Sequence, residues 1–120
     1  MNRIAHFEMQ VSNTEKTIEF YKNIFGWKIE PFGDYGYNFI TTDEEGVEVT
    51  GGILPSPDGQ ARIINTIEVN NLEESLEKVQ ENGGETIYPK MALPGRGFVA
   101  YCQGPEGLLF GIFQPDKNAQ

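Results

Sequence analysis

Residues 11–31 read VSNTEKTIEFYKNIFGWKIEP, and residues 69–89 read VNNLEESLEKVQENGGETIYP. With a shift of 58 positions, seven of the 21 residues are identical. The identical pairs are Val11 and Val69, Asn13 and Asn71, Glu15 and Glu73, Glu19 and Glu77, Gly26 and Gly84, Ile29 and Ile87, and Pro31 and Pro89. Because the residues that start and stop helices coincide along with the rest, we interpret the two stretches as copies of one internal repeat.

Each copy contains one predicted amphipathic helix. The first spans about 14–25, where Ser12 and Glu15 fit a capping box and Gly26 fits a stop. Its apolar face consists of Ile18, Tyr21, Ile24 and Phe25. The second helix spans about 72–82; its start is marked by Asn71 and Glu74 and its end by Gly83 and Gly84, and its apolar residues are Leu72, Leu76 and Val79.

Most of the remaining residues fit short strands bounded by Gly, Pro or Asp. The predicted strands lie at about 3–11, 27–32, 36–42, 47–54, 61–69, 85–90, 97–103 and 108–113. The sequence therefore predicts one α+β domain built from two paired βαβββ modules, at about 1–57 and 58–120, with a curved mixed sheet and a cup-shaped cavity.

Alternation along the first strand of each module assigns the side chains to two faces. The residues predicted to lie under the helices are Ala5, Phe7, Met9 and Val11 in the first module, and Ile63, Ile67 and Val69 in the second. The residues predicted to face away from the helices, toward the cavity, are His6, Glu8 and Gln10, and then Ile64, Thr66 and Glu68.

Composition excludes several classes of function. The formal net charge of −9 at pH 7 argues against nucleic acid as a partner, because binding phosphates requires a basic face. Apolar residues make up 38% and form no run long enough for a membrane-spanning helix. The single Cys102 excludes an intrachain disulfide, and no signal-peptide pattern opens the chain, so we expect a cytoplasmic protein.

Several motifs together resemble a known family. They are Val11-Ser12-Asn13, FYKNIFGW at 20–27, ENGG at 81–84, PGR at 94–96 and GPEGLLFGIFQP at 104–115. Across nearly the whole chain they resemble the glyoxalase/bleomycin-resistance/dioxygenase superfamily, also called vicinal oxygen chelate proteins, and within it a lactoylglutathione-lyase-like subgroup of unassigned activity. One departure is Gly104, where the family has Asp in an Asp-Pro-x-Gly turn. The resemblance implies paired βαβββ modules, a cup-shaped site and a homodimer.

The resemblance also implies where a divalent metal would bind, since members that do chemistry hold it on the first and last strands of each module. The first-strand positions correspond to His6 and Ile64, and the last-strand position of the second module corresponds to Gly111. In the fourth strand either Glu48 or Gly52 takes the position, depending on register, and the internal repeat favours Gly52. Because such a metal needs about three protein ligands, we expect the family metal, and any cofactor, to be absent.

Three functions follow as hypotheses. The first is a metal-independent module that binds a small organic molecule, for which the apolar Ile64 favours an apolar or aromatic ligand. The second is a metal-dependent lyase, isomerase or dioxygenase, whose metal site is completed by Glu48 and a partner chain. The third is a metal-independent enzyme in which His6 acts as acid or base, with Glu8 on the same face. The predicted ligand-binding residues are His6, Glu48, Thr50, Ile64, Thr66 and Glu68, and the catalytic candidates are His6 and Glu8.

Five aromatic residues cluster in the outer strands of the first module, namely Trp27, Phe32, Tyr35, Tyr37 and Phe39. Two roles are open to them, namely lining a hydrophobic pocket or interface and packing in the core or a dimer, and we favour packing. The expected partners are a small-molecule ligand and a second copy of the chain, and neither nucleic acid nor a membrane.

Overall fold

The computed structural model of the chain describes residues 1–33, 36–42 and 49–120. In this part of the chain there are two helices and eight strands. Their order is β1 (Arg3–Val11), α1 (Thr14–Phe25), β2 (Lys28–Pro31), β3 (Asn38–Thr41), β4 (Thr50–Pro55), β5 (Arg62–Glu68), α2 (Leu72–Glu81), β6 (Glu85–Leu93), β7 (Gly97–Gln103) and β8 (Leu109–Pro115). The predicted α+β class and the two βαβββ repeats are confirmed.

The chain divides into two compact units. The first unit comprises Ala5–Ile64, and the second comprises Met1–Ile4 together with Asn65–Gln120. The proposed module boundary near residue 57 stays a prediction. Each unit contains both parallel and antiparallel strand pairs, as expected for a mixed sheet. No helix in the described ranges is long and apolar enough to span a bilayer.

An asparagine immediately before each helix caps its N-terminus. Asn13 Oδ1 accepts the backbone N–H of Lys16 at 3.0 Å, and Asn71 Oδ1 accepts that of Glu74 at 3.0 Å. The predicted Ser12 capping box is therefore wrong, because α1 begins at Thr14 and places Asn13 at the N-cap. Gly26 ends α1 with a φ of 69°, a left-handed conformation that favours glycine.

In the first unit, α1 covers one face of the sheet. Ile29, Ile40 and Ile53 are buried there, and the residues that pack against them are Phe7, Met9, Val11, Ile18, Tyr21 and Trp27. This confirms the face assigned to β1. The prediction is wrong for Ile24 and Phe25, which are more than half exposed. Phe25 stacks on Tyr21 and Trp27 at the edge of this core, and helical periodicity alone does not show where burial along a helix ends.

In the second unit, α2 covers a core of Val69, Leu72, Ala100, Cys102 and Ile112. Ile67 and Val69 contribute to this core as predicted, whereas Ile63 is 61% exposed. Alternation assigned Ile63 to a face, but it does not determine how far along a strand the helix extends. Burial raises the pKa of the Cys102 thiol, as expected for a core cysteine.

The strand register extends the repeat into the fold. In the first unit β1 runs parallel to β4, with Glu8 beside Gly52. In the second unit β5 runs parallel to β8, with Thr66 beside Gly111. Thr66 follows Glu8 by 58 residues and Gly111 follows Gly52 by 59, so the two glycines occupy equivalent places. The alignment through the internal repeat is thereby confirmed, while Glu48 lies outside the described residues.

Candidate functional site

The face of β1 opposite α1 carries the polar residues His6, Glu8 and Gln10. We call it the polar face of the first unit. Its strand β4 neighbours are Thr50, beside His6, and Gly52, beside Glu8. The alternation that sends Phe7 and Met9 into the core sends these side chains to the opposite side.

His6 is held between two hydroxyl groups. Its Nδ1 is hydrogen-bonded to Thr50 Oγ1 at 2.6 Å, and its Nε2 is hydrogen-bonded to the Tyr37 hydroxyl at 2.6 Å. The imidazole and phenol rings lie 17° from parallel, with centroids 6.3 Å apart. We refer to Tyr37, His6 and Thr50 as the hydroxyl–imidazole chain.

Gly52 provides the space that Tyr37 occupies. A Cβ placed on Gly52 would overlap the hydroxyl and the ring of Tyr37. Glycine in the middle of a strand weakens the sheet and often marks a close approach of another group, which here is the tyrosine side chain. The absence of a side chain at position 52 is thus linked directly to the hydrogen bond that His6 Nε2 makes.

The hydroxyl–imidazole chain accommodates both protonation states of the ring. Neutral imidazole donates from one nitrogen and accepts at the other, whereas imidazolium donates from both. A serine-, threonine- or tyrosine-type hydroxyl can donate or accept, so Tyr37 and Thr50 can each reorient to suit either state. The geometry therefore lets His6 gain or lose a proton without losing either hydrogen bond.

Glu8 lies on the same face and is buried, with 7% of its surface exposed. Gln10 Nε2 donates to its Oε2 at 3.4 Å. Residues two apart on a strand are separated by about 6.6 Å along it, so Glu8 is a near neighbour of His6 on this face. The sequence prediction that placed both on one face is correct.

The other predicted site residues have different surroundings. Thr66 and Ile64 are buried, with 6% and 4% exposed. A Cβ on Gly111 would lie 2.7 Å from Thr66 Oγ1, so the threonine hydroxyl fills the space beside this second glycine. Glu68 Oε1 lies 3.8 Å from Arg3 Nη2 in a partly exposed ion pair. The structure thus brings His6 and Thr50 into contact, and Thr66 and Glu68 belong to the second unit.

Tyr37 is the site residue that sequence reasoning missed, since the aromatic cluster was predicted to serve packing. Tyr35 of that cluster lies outside the described residues. The available signal was Gly52, because a strand-interior glycine beside a polar face indicates a side chain approaching from elsewhere.

The described residues do not match the metal set that the family resemblance implies. His6, Ile64, Gly52 and Gly111 stand at the four positions, so one of these four side chains is able to ligate. Within residues 1–33, 36–42 and 49–120, no three His, Cys, Asp or Glu side chains cluster as a metal site would require. A metal at His6 Nε2 would also have to replace the hydrogen bond to Tyr37.

A cavity of about 390 Å³ lies elsewhere, beneath α2 in the second unit. Its walls include Ile67, Val79, Phe110 and Ile112 from the core side, with Lys78 and Gln103 among its polar groups. Among the predicted site residues that fall in the described ranges, none lines this cavity.

Comparison with known families and proteins gives a consistent result. A family model described as the Glyoxalase/Bleomycin resistance protein/Dioxygenase superfamily matches residues 3–112. CFP32 of Mycobacterium tuberculosis, provisionally named a glyoxylase, is 26% identical over 92% of the chain. The chain spans 45% of the length of that relative. A lactoylglutathione lyase of Salmonella typhimurium is 27% identical over 93% of this chain and 92% of its own.

Among solved structures, the hypothetical protein BH1468 from Bacillus halodurans superposes with a TM-score of 0.70. The match covers 98% of this chain and 97% of that one, at 19% sequence identity. At this level of identity, the similarity shows that the two proteins share a fold.

Proposed function

Since the chain belongs to the Glyoxalase/Bleomycin resistance protein/Dioxygenase superfamily, we propose that it binds a small organic molecule on the polar face of the first unit without the metal typical of the family. The observation that carries this proposal is the hydroxyl–imidazole chain. Both ring nitrogens of His6 are engaged by hydroxyl groups at 2.6 Å, at the short end of hydrogen-bond distances.

The residues at the family's ligand positions support a binding site held together by hydrogen bonds. Gly52 offers no ligating atom, and its missing side chain is replaced by the phenol of Tyr37. The resulting face presents a phenol, an imidazole, a hydroxyl and a buried carboxylate. Ligand sites commonly combine a few such polar groups with apolar walls, and Ile64 is the apolar residue of the first unit that we assign to this ligand.

A metal titration tests the proposal. His6 is the only histidine of the chain, so its imidazole signals in an NMR spectrum are unambiguous. We expect the purified protein to contain substoichiometric Ni, Zn, Mn and Fe by elemental analysis. We also expect added Mn²⁺ to leave the His6 signals sharp. One tightly bound metal per chain, lost in His6→Gln, would overturn the proposal in favour of a metal-dependent lyase, isomerase or dioxygenase.

A second candidate function is acid–base catalysis without a metal. It is favoured by one observation, namely that Tyr37 and Thr50 can satisfy His6 in both of its protonation states. In this reading His6 acts as the base through Tyr37: the phenol passes its proton to His6 Nε2 while it takes a proton from the bound substrate, and Thr50 accepts from Nδ1–H of the imidazolium that forms. His6→Gln should abolish turnover found in a substrate screen, including a lactoylglutathione assay chosen because of the Salmonella relative. Retained turnover in that variant would show that His6 is not the base.

We also propose a homodimer located in the cytoplasm, as the family resemblance and the composition imply. Light scattering after size exclusion should give twice the chain mass of 13.5 kDa. A mass of one chain at micromolar concentration would refute the dimer.

A further inference from the structure

A run of hydrogen bonds leads from Arg62 to the buried Glu8. Arg62 Nη1 donates to Gln10 Oε1 at 2.9 Å, and Gln10 Nε2 donates to Glu8 Oε2 at 3.4 Å. All three residues belong to the first unit. We call this run the arginine–amide relay.

Donor and acceptor chemistry gives the relay a direction. A guanidinium group only donates, so it requires the oxygen of the Gln10 amide and turns the amide NH₂ toward Glu8. The NH₂ group only donates in turn, so Glu8 must accept. The relay therefore selects the orientation in which the Glu8 carboxyl presents an acceptor oxygen to Gln10.

Arg62 is itself fixed by the turn after β4. Its Nη2 donates to Asp58 Oδ2 at 2.6 Å, and its Nη1 donates to Ser56 Oγ at 3.3 Å. Hydrogen bonds from Arg62, from the backbone of Gln60 and from Ser56 hold the pKa of Asp58 well below its usual range. The Asp58 carboxylate, ionised at neutral pH like any ordinary aspartate, holds the guanidinium in place through this contact.

Burial makes this support necessary. A carboxylate removed from water loses hydration that hydrogen bonds must replace. Glu8 is 7% exposed, and Gly52 beside it on β4 contributes no side chain. The charged or titratable groups near Glu8 in the first unit include His6 on the same strand and Tyr37 beside Gly52. They also include Arg62, which is linked to Glu8 by the Gln10 amide.

We propose that Gln10 and Arg62 are positioning residues that hold the Glu8 carboxylate as an acceptor for an N–H or O–H group of the ligand. This proposal rests on the proposed function, because it takes the polar face as the ligand site. It also narrows the ligand class to molecules that carry a hydrogen-bond donor, and it disfavours simple carboxylates.

The relay is tested in the ligand-free protein by following the Glu8 carboxyl carbon by NMR during a pH titration. Q10L removes the donor, and we expect the protonation midpoint of Glu8 to rise by about half a pH unit or more. R62M should also raise the protonation midpoint of Glu8, and R62K should raise it less than R62M does. R62M keeps the test possible if Q10L does not fold.

D116N is the matched control, because it alters the equivalent turn after the last strand of the second repeat and leaves both Asp58 and Arg62 unchanged. We expect a much smaller shift of the Glu8 midpoint than in Q10L. Equal shifts in D116N and Q10L, or no shift in Q10L, would overturn the relay.

The ligand class is tested with two probes of similar size, benzylammonium and benzoate. We expect benzylammonium to move the Glu8 and His6 signals, benzoate to leave them unchanged, and E8Q to abolish the benzylammonium response. Binding of benzoate as strongly as benzylammonium, or of neither probe, would overturn the donor requirement. These outcomes are independent of the metal titration, so the inference and the proposed function fail separately.

Discussion

Equivalent positions of the two repeats carry different chemistry. On β1 the sequence places His6 and Glu8, where β5 has Ile64 and Thr66, 58 residues later. Each repeat has a glycine on the adjacent parallel strand, and each glycine leaves space for a polar group. In the first repeat that group is the phenol of Tyr37, and in the second it is the hydroxyl of Thr66.

One backbone thus carries a hydrogen-bonded polar face in the first repeat and a close-packed threonine in the second. In both repeats the absence of a Cβ on the glycine lets a neighbouring side chain lie directly against the strand. Only in the first repeat is that side chain bonded to an imidazole. Substitutions at equivalent positions of the two repeats should therefore have unequal effects, and we expect the largest at the two glycines.

Adding a methyl group at each glycine should have unequal costs. Gly52→Ala places a Cβ inside the Tyr37 ring, so the ring must leave and the His6 hydrogen bond is lost. We expect the free energy of unfolding to fall by about 3 kcal/mol. Gly111→Ala meets Thr66 Oγ1, which can rotate away, and should cost about 1 kcal/mol. Urea unfolding measures both, and equal losses would contradict the steric role assigned to Tyr37.

Replacing His6 by the residue of the other repeat should make the first repeat resemble the second. His6→Ile removes the hydrogen bonds to Tyr37 and Thr50. At about 1 kcal/mol for each bond, we expect a loss of about 2 kcal/mol, which burial of the isoleucine partly offsets. The benzylammonium response should also disappear. A fully stable variant that still binds the probe would show that the hydroxyl–imidazole chain is not part of the site.

A smaller change separates the phenol hydroxyl from its ring. Tyr37→Phe keeps the ring over Gly52 and removes one hydrogen bond, so we expect a loss of about 1 kcal/mol. The His6 Nε2 signal should move more than the Nδ1 signal. Thr50→Val provides the matched control at Nδ1, and the double variant measures coupling through the imidazole. Strict additivity would contradict a chain that acts as one unit.

Much of the fold could be predicted from the sequence because a constant shift aligns equivalent positions of the two repeats. The shift of 58 paired Asn13 with Asn71, and both residues cap their helices. The same shift pairs Ser12 with Asn70, which precedes the cap of the second helix, and so favours Asn13 over Ser12. The same repeat favoured Gly52 over Glu48, and the pairing of Gly52 with Glu8 agrees with it.

Tyr37 could not be predicted in the same way. It precedes β3, in a connection where neither alternation nor helical periodicity fixes a side-chain direction. Ile63 and Ile24 show a second limit. Local pattern gives the face on which a residue lies, but burial depends on where the covering element ends in three dimensions, and both residues are more than half exposed.

The smallest expected effect concerns the turns that follow the last strand of each repeat. Asp58 Oδ1 accepts the backbone N–H of Gln60 at 3.0 Å, and Asp116, 58 residues later, accepts that of Asn118 at 2.8 Å. Asp58 is additionally bonded to Arg62, and that hydrogen bond is the largest contribution that lowers its pKa. A carboxyl whose pKa is lower in the folded state stabilises the fold above its unfolded pKa. This stabilisation is lost as the pH falls from about 4 toward the folded value.

Asp58→Asn should therefore flatten the acid limb of the stability curve, with little change in the shape of the curve above pH 5. Asp116→Asn removes the equivalent turn contact without disturbing Arg62, and serves as the matched control. Thermal unfolding between pH 2 and pH 7 measures both variants. If the two flatten the acid limb equally, the arginine contact does not distinguish the turns, and the asymmetry between the repeats is confined to Tyr37, His6 and Thr50.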